Sequence, residues 1–170
     1  KSSPGAKGLI YLPYLAGERS PLWDTKASGA WVGLRLSHQR NDLIRAAMEG
    51  TAYGMKQILQ IACEKWGVKI TELLSVGGGS RNKLWTQIKA DILQVEFSVA
   101  KTSDAAAFGA AMVGATGAGY FCGINDPDLP IVKTEDDSFK PNPDERLKLL
   151  YEKNYHIYTG LYPALKATMH

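Results

Sequence analysis

Apolar and polar residues switch between two periods along the chain, and the switches divide it into strands and helices. Residues 8–14 (Gly-Leu-Ile-Tyr-Leu-Pro-Tyr) alternate loosely and are rich in Leu, Ile and Tyr, which predicts a strand that Pro13 confines to an edge or brings to its end. Residues 29–34 predict a short strand bounded by glycines. Over 42–66 the positions Leu43, Ala46, Ala47, Gly50, Tyr53, Gly54, Gln57, Ile58, Ile61 and Ala62 fall close to helical spacing, with possible N-caps among residues 37–42 and Gly67 as a left-handed stop. The small residues Ala46, Ala47, Gly50 and Gly54 predict a face that packs closely on a neighbour. A second helix is expected over 82–94 with Leu84, Trp85, Ile88, Ile92 and Leu93 inward, a strand over 96–99, and a third helix capped by Asp104 with a small face of Ala106, Gly109, Ala110, Val113 and Gly114. Residues 125–143 read as a surface connection in which Ile131-Val132 forms a short strand. Residues 144–169 resume a helical stripe of Leu147, Leu150, Tyr151, Tyr155, Tyr158, Leu161 and Leu165, which Pro163 is expected to interrupt. Strand and helix in alternation predict an α/β layered fold with ligands at the carboxyl ends of the strands.

One stretch carries candidate chemistry. In Leu73-Leu74-Ser75-Val76-Gly77-Gly78-Gly79-Ser80-Arg81-Asn82-Lys83-Leu84-Trp85 an apolar strand runs into three glycines and then into a helix. Glycines without Cβ let main-chain N–H groups approach an anion, and the helix start adds unpaired donors. The spacing matches neither the Walker nor the dinucleotide fingerprint, and a tight connection without a ligand fits the same residues. The segment 16–24, with Glu18, Arg19, Trp23 and Asp24, is a second candidate. The plainer expectation for it is a structural loop in which Glu18 or Asp24 pairs with Arg19 and Trp23 plugs an apolar gap.

Composition narrows the classes. The 170 residues are 45% hydrophobic and 22% charged, ordinary for a single globular domain, and the net charge of +3 is spread without a basic, aromatic-interleaved run, which argues against nucleic acid. Cys63 and Cys122 form no CxxC and sit among apolar residues, which predicts buried free thiols in a reducing, cytoplasmic setting. Residues 105–124 are uncharged but consist largely of Ala and Gly, so a membrane span is not expected. The chain opens on Lys1 with no leader, and is expected to be part of a longer polypeptide.

Three motifs carry a resemblance. Gly29-Ala30-Trp31-Val32-Gly33-Leu34, then seven residues, then Asp42-Leu43-Ile44-Arg45-Ala46-Ala47-Met48-Glu49, resembles the second signature of the FGGY carbohydrate kinases. Residues 12–24 are similar to the preceding loop of xylulose and gluconate kinases. Val76-Gly77-Gly78-Gly79-Ser80-Arg81-Asn82, with Trp85, Gln87 and Asp91, resembles the family's adenosine-phosphate segment. The likeness runs in order over about 8–122, the small-residue helix over 105–118 included.

The resemblance implies an actin-like ATPase (ribonuclease H-like) α/β fold, three-layered with a central sheet, in which residues 1–170 form a single, partial C-terminal domain of an ATP-dependent carbohydrate kinase. By position Gly78 matches the glycine whose backbone lies against the nucleotide phosphates and Asn82 the polar residue beside the nucleotide. Gly77 and Gly79 complete the turn, and Mg²⁺ accompanies ATP or ADP. The family's first lobe, its Asp-Gly phosphate turn, its general-base aspartate and the glycine-threonine turn of the second lobe are not in this sequence. No catalytic residue and no protein metal ligand is therefore expected here, and the isolated polypeptide is expected to show no turnover. The implied partners are the N-terminal lobe, a sugar and ATP, and a sheet that starts after the lobe's first strands is expected to expose an edge and self-associate.

D-xylulose is the first choice of sugar, with gluconate or another ketose or polyol as alternatives, because Leu22-Trp23-Asp24 departs from the His-Asn-Asp frequent in xylulose kinases. A non-catalytic α/β binding or assembly module fits the same residues. A dinucleotide dehydrogenase fits less well, since the strand after the glycines leads through Val99-Ala100-Lys101 into Thr102 without an acidic residue.

Overall fold

The computed structural model describes residues 2–102 and 104–169. Its elements are β1 (Ile10–Leu12), β2 (Ala30–Val32), α1 (Arg40–Trp66), β3 (Glu72–Ser75), a 3-10 turn (Gly78–Arg81), α2 (Lys83–Leu93), β4 (Glu96–Ala100), α3 (Ala105–Gly117), β5 (Thr134–Phe139) and α4 (Glu145–Met169). The strands form an antiparallel pair, β1-β2, and a mixed sheet in the order β3-β4-β5, with β3 parallel and β5 antiparallel to β4. Together with the helices this is an α/β fold with a mixed sheet, as the alternation of strand and helix predicts.

α1 is the element on which the others are set. Gly50 lets β1 lie directly against it: a Cβ at position 50 would come within 2.2 Å of the Tyr11 carbonyl oxygen. The close-packing face is therefore real, but the buried stripe of α1 is not purely apolar. It includes Glu49 and Lys56, whereas Ile58 and Ile61 lie 44% and 38% exposed. Glu49 accepts hydrogen bonds from Arg45 Nε at 2.7 Å and from the Gly5 N–H at 2.9 Å, and the Arg45 guanidinium also reaches the Tyr151 hydroxyl on α4 at 3.0 Å. Burial pushes the Glu49 carboxyl above its ordinary pKa, against the pull of Arg45. Lys56 pairs with Glu152, a second tie between α1 and α4. Asp42 accepts from the Gln39 N–H at 2.9 Å and so secures the first turn of α1, and Gly67 ends the helix in a left-handed conformation, φ 62°.

The aromatic stripe of α4 packs as expected. Tyr151, Tyr155, Tyr158 and Tyr162 are buried, Tyr53 packs against both Tyr155 and Tyr158, and the Tyr14 and Tyr158 hydroxyls are 3.0 Å apart. Pro163 does not interrupt the helix. It removes the bond to the Thr159 carbonyl, but Leu161, Tyr162, Leu165 and Met169 pack against the core on both sides and hold the last turns.

Other expectations are corrected. Trp23 is 78% exposed and plugs no gap. Leu22 packs on the core instead, while the Glu18 and Asp24 backbones exchange two 2.8 Å hydrogen bonds and the Glu18 carboxylate accepts from the Ser20 N–H. Leu84 is 55% exposed rather than inward. Cys63 is half-buried and Cys122 exposed, so neither free thiol is the buried one expected. The late strand is Thr134–Phe139, not Ile131-Val132: it pairs Ser138 with Ser98 and Phe139 with Phe97 along the edge of β4, leaving Ile131 exposed. Asp104 caps α3 through the Ala107 N–H at 2.9 Å, yet no residue of α3 is buried, so its small face meets nothing among the described residues. Among the described residues no helix is long and apolar enough to cross a membrane.

Replacing Gly50 by Ala should destabilise the domain by about 1–3 kcal/mol, because the methyl group meets backbone that cannot rotate away. Urea unfolding followed by circular dichroism measures it, and an unchanged midpoint would show that β1 does not rest on α1 in this way.

Candidate nucleotide-phosphate seat

The three glycines follow β3 at its carboxyl end, but the chain does not pass straight from strand to α-helix. Gly77 adopts φ 81°, then Gly78–Arg81 form the 3-10 turn, and Asn82 stands between it and α2. The turn is held by Ser80, whose N–H and Oγ both donate to the Gly77 carbonyl, at 3.2 and 2.7 Å, and by the Asn82 N–H on the Gly79 carbonyl at 3.3 Å. Thr86 Oγ1 secures it from below through the Ser80 and Asn82 carbonyls, at 3.3 and 3.2 Å. Gly78 and Gly79 open the turn, and the first N–H groups of such a turn have no partner inside it. Outside it, among the described residues, no backbone hydrogen bond uses them as donors.

The three glycines are glycine for different reasons. Gly77 needs its positive φ. A Cβ on Gly78 would meet nothing within 4 Å, so the space in front of this residue is open, whereas a Cβ on Gly79 would lie 3.0 Å from the Trp85 ring. Gly77 and Gly78 therefore both face open space, and only Gly79 is closed off by a side chain. Asn82 is the N-cap of α2, its Oδ1 accepting from the Trp85 N–H at 3.1 Å, which leaves the side-chain NH₂ free to donate outward.

Charge gathers at the same end. Gly77 and Ser80 line a cleft of about 860 Å³ with Arg81, Lys83, Lys101 and Thr102 on one side and Glu135, Asp136 and Asp137 of β5 on the other. Lys101 pairs with Asp136 at 3.2 Å at the exposed rim, where such a pair contributes little. Arg81 and Lys83 form no ion pair among the described residues. Cations at a helix N-terminus are opposed by its dipole, and an anion seated there would relieve both. The arrangement suits a phosphate: N–H donors without a backbone partner, a helix start and two cations that are in no ion pair among the described residues. No group of three His, Cys, Asp or Glu that could hold a metal ion occurs among the described residues.

The structure brings Gly77, Gly78, Gly79 and Asn82 together at one turn and the helix start after it; Gln87 lines the same cleft, but its amide NH₂ and Asp91 are engaged with the chain after β5. Gln87 Nε2 donates to Asp91 Oδ1 and to the Lys140 carbonyl, both at 2.8 Å, and Asp91 accepts from the Asn142 N–H at 2.9 Å, so this pair anchors the chain leaving β5. Lys101, Thr102 and the β5 acids were not singled out in the sequence. Their signal is positional: the ends of β4 and β5 meet at the turn only once the polar strand β5 is paired.

The α/β fold with its mixed β3-β4-β5 sheet is that of the C-terminal lobe of the actin-like ATPase class. The profile described as "FGGY family of carbohydrate kinases, C-terminal domain" matches residues 1–118. A xylulose kinase of Staphylococcus epidermidis is 34% identical over 165 residues, 97% of this chain and 32% of that protein. A gluconokinase of Bacillus subtilis is 36% identical over 111 residues, 65% of this chain and 22% of that protein. Among solved structures, a ligand-bound xylulose kinase from Lactobacillus acidophilus superposes with TM-score 0.81 at 27% identity, covering 99% of this chain and 33% of that one. The chain belongs to the FGGY family of carbohydrate kinases, as its C-terminal domain. It spans about a third of the length of the curated xylulose kinases it matches.

Asn82→Ala should lower stability by about 1 kcal/mol through loss of the α2 cap. Asn82→Asp, which keeps the accepting oxygen at a helix N-terminus, should not. Equal loss in both variants, measured by urea unfolding, would remove the cap from the account.

Proposed function

We propose that the chain is the nucleotide-binding part of an ATP-dependent carbohydrate kinase, and that residues 1–170 are a single, partial domain of that enzyme. The Gly78 and Gly79 N–H groups receive the phosphates of ATP or ADP, Gly77 sets the turn, and the Asn82 NH₂ donates to the nucleotide. The observation that carries this reading is the open space in front of Gly78 at the carboxyl end of β3, next to the cleft that Gly77 and Ser80 line with Arg81 and Lys83. Mg²⁺ neutralises phosphate charge when the nucleotide is bound. This chain's own part is to hold and orient the phosphates, which is most of what a phosphoryl-transfer enzyme does on the nucleotide side.

The sugar, its general base and the opposite wall of the cleft belong to the parent protein outside this chain, so the isolated polypeptide binds nucleotide weakly and does not turn over. The rest of the parent's lobe continues from the free edge of β3 and covers α3, and the enzyme works in the cytoplasm. D-xylulose is the first choice of sugar, supported by relatives named xylulose kinase that match over nearly the whole chain, as a ribulokinase also does, while a gluconokinase matches over 65% of it.

Gly78→Val should abolish ADP binding in calorimetric titration while leaving the fold intact, because the side chain enters open space at ordinary backbone angles. Retained affinity would remove Gly78 from the site. A coupled assay of the parent enzyme over D-xylulose, gluconate, ribulose and glycerol should give the highest kcat/KM for D-xylulose. A higher value for gluconate would overturn the choice of sugar and leave the nucleotide site standing.

A further inference from the structure

We infer that Trp85 is a positioning residue for the phosphate seat: its indole fixes the Gly79 turn to α1, so that the main-chain donors are held in place before an anion arrives. The inference rests on the nucleotide reading above.

Trp85 touches the turn in two ways. Its backbone N–H is the one that Asn82 Oδ1 caps, and the outer edge of its ring lies against Gly79, with Cζ3 3.0 Å and Cε3 3.5 Å from where a Cβ would stand. On the far side the indole Nε1–H reaches α1, at 3.3 Å from the Met48 carbonyl and 3.2 Å from Thr51 Oγ1. Both acceptors belong to the helix that carries the second signature, so a single side chain joins the two motifs. A ring that only filled the core would be enclosed. Trp85 is half-buried and borders a cleft of about 440 Å³ with Trp31, Ile44 and Asn82, so its hydrogen bonds, not surrounding atoms alone, decide where it sits. The Lys89 ammonium stands over its face at 4.4 Å. Burial lowers the pKa of Lys89, and the ring's negative face favours its charged form at that position.

The physical consequence is preorganisation. The first donors of a short 3-10 turn are free to reorient unless something supports the turn, and an anion that must order them itself binds more weakly. With the ring pressed on Gly79 and pinned to α1, the Gly78 and Gly79 N–H groups keep one direction. Gly79 is then glycine so that the ring can fit, not so that a phosphate can approach.

The test is an NMR titration of the ¹⁵N-labelled chain with ADP, and separately with inorganic tripolyphosphate. The Gly78 and Gly79 amides and the Trp85 indole N–H should shift along one binding curve, while the indoles of the exposed Trp23 and Trp66 stay still. Trp85→Phe, which lacks the indole N–H and the ring edge at Gly79, should weaken ADP about tenfold, as expected for loss of one shared hydrogen bond and the ring contact. Gly79→Ala should weaken it similarly by displacing the ring, and the double variant should be no weaker than either single one, because both act on the same contact. Losses that multiply, or affinities unchanged by Trp85→Phe, would overturn the positioning role while leaving the seat in place. If neither ligand moves the Gly78 amide in the unaltered chain, the seat itself falls, and this inference with it. Should Trp85→Phe fail to fold, Thr51→Val removes one of the two acceptors without touching the turn. It should shift the indole resonance and weaken ADP about two- to threefold, and no change in affinity would overturn the inference.

Discussion

The carbonyl of Tyr11 can lie against α1 only because position 50 has no side chain, and this approach of two backbones sets the spacing of the domain. With β1 seated there, the chain before it is drawn to the same helix, where Glu49 and Arg45 accept and donate at Gly5, Ser2 and Tyr151. Charged groups inside a helix interface are costly when single and tolerable when every oxygen and nitrogen has a partner. Here all three Arg45 nitrogens and Glu49 Oε1 have partners, and the pair joins α1, α4 and the N-terminal turn at one point. α1 is thus less an amphipathic surface helix than a central post.

The candidate site inherits its geometry from that post. The glycine turn is not anchored by β3 alone. It is held from beneath by Thr86, capped by Asn82 and tied through Trp85 to the carbonyl of Met48 and the hydroxyl of Thr51. A phosphate seat made of main-chain donors has no side chains to adjust, so its precision depends on what lies behind it. What faces outward is correspondingly simple: Gly78 with open space before it, the Asn82 amide, and the cations Arg81 and Lys83.

Much of this was legible in the sequence, and what was not has physical reasons. Helical periodicity found α1, α2 and α4, because each buries a stripe whose spacing survives single exceptions. The same periodicity misplaced Ile58 and Ile61 and passed over Glu49 and Lys56, since a hydrophobic pattern does not register a buried charge whose partner lies on another element. β5 was placed a few residues early because its sequence, Thr-Glu-Asp-Asp-Ser-Phe, is polar. An edge strand gains its stability from the neighbouring ladder, and only Phe139 enters the core. Pro163 read as a break because local sequence does not reveal the packing on either side. Around the site, the sequence identified Gly77, Gly78, Gly79 and Asn82 as one unit, but not that a 3-10 turn separates the glycines from α2. Nor did it reveal that Gly79 answers to Trp85 and that Gln87 and Asp91 face the β5 exit. Those distinctions are tertiary contacts between residues far apart in the chain.

The central claim is that the main chain at Gly78 and Gly79 receives the phosphates of an adenine nucleotide. A crystal structure of the protein grown with ADP and Mg²⁺ tests it most directly. Phosphate oxygens within hydrogen-bond distance of both N–H groups, with the Asn82 amide beside the nucleotide, are the predicted result. ADP density lying against another part of the domain, with this turn left bare, would contradict the account.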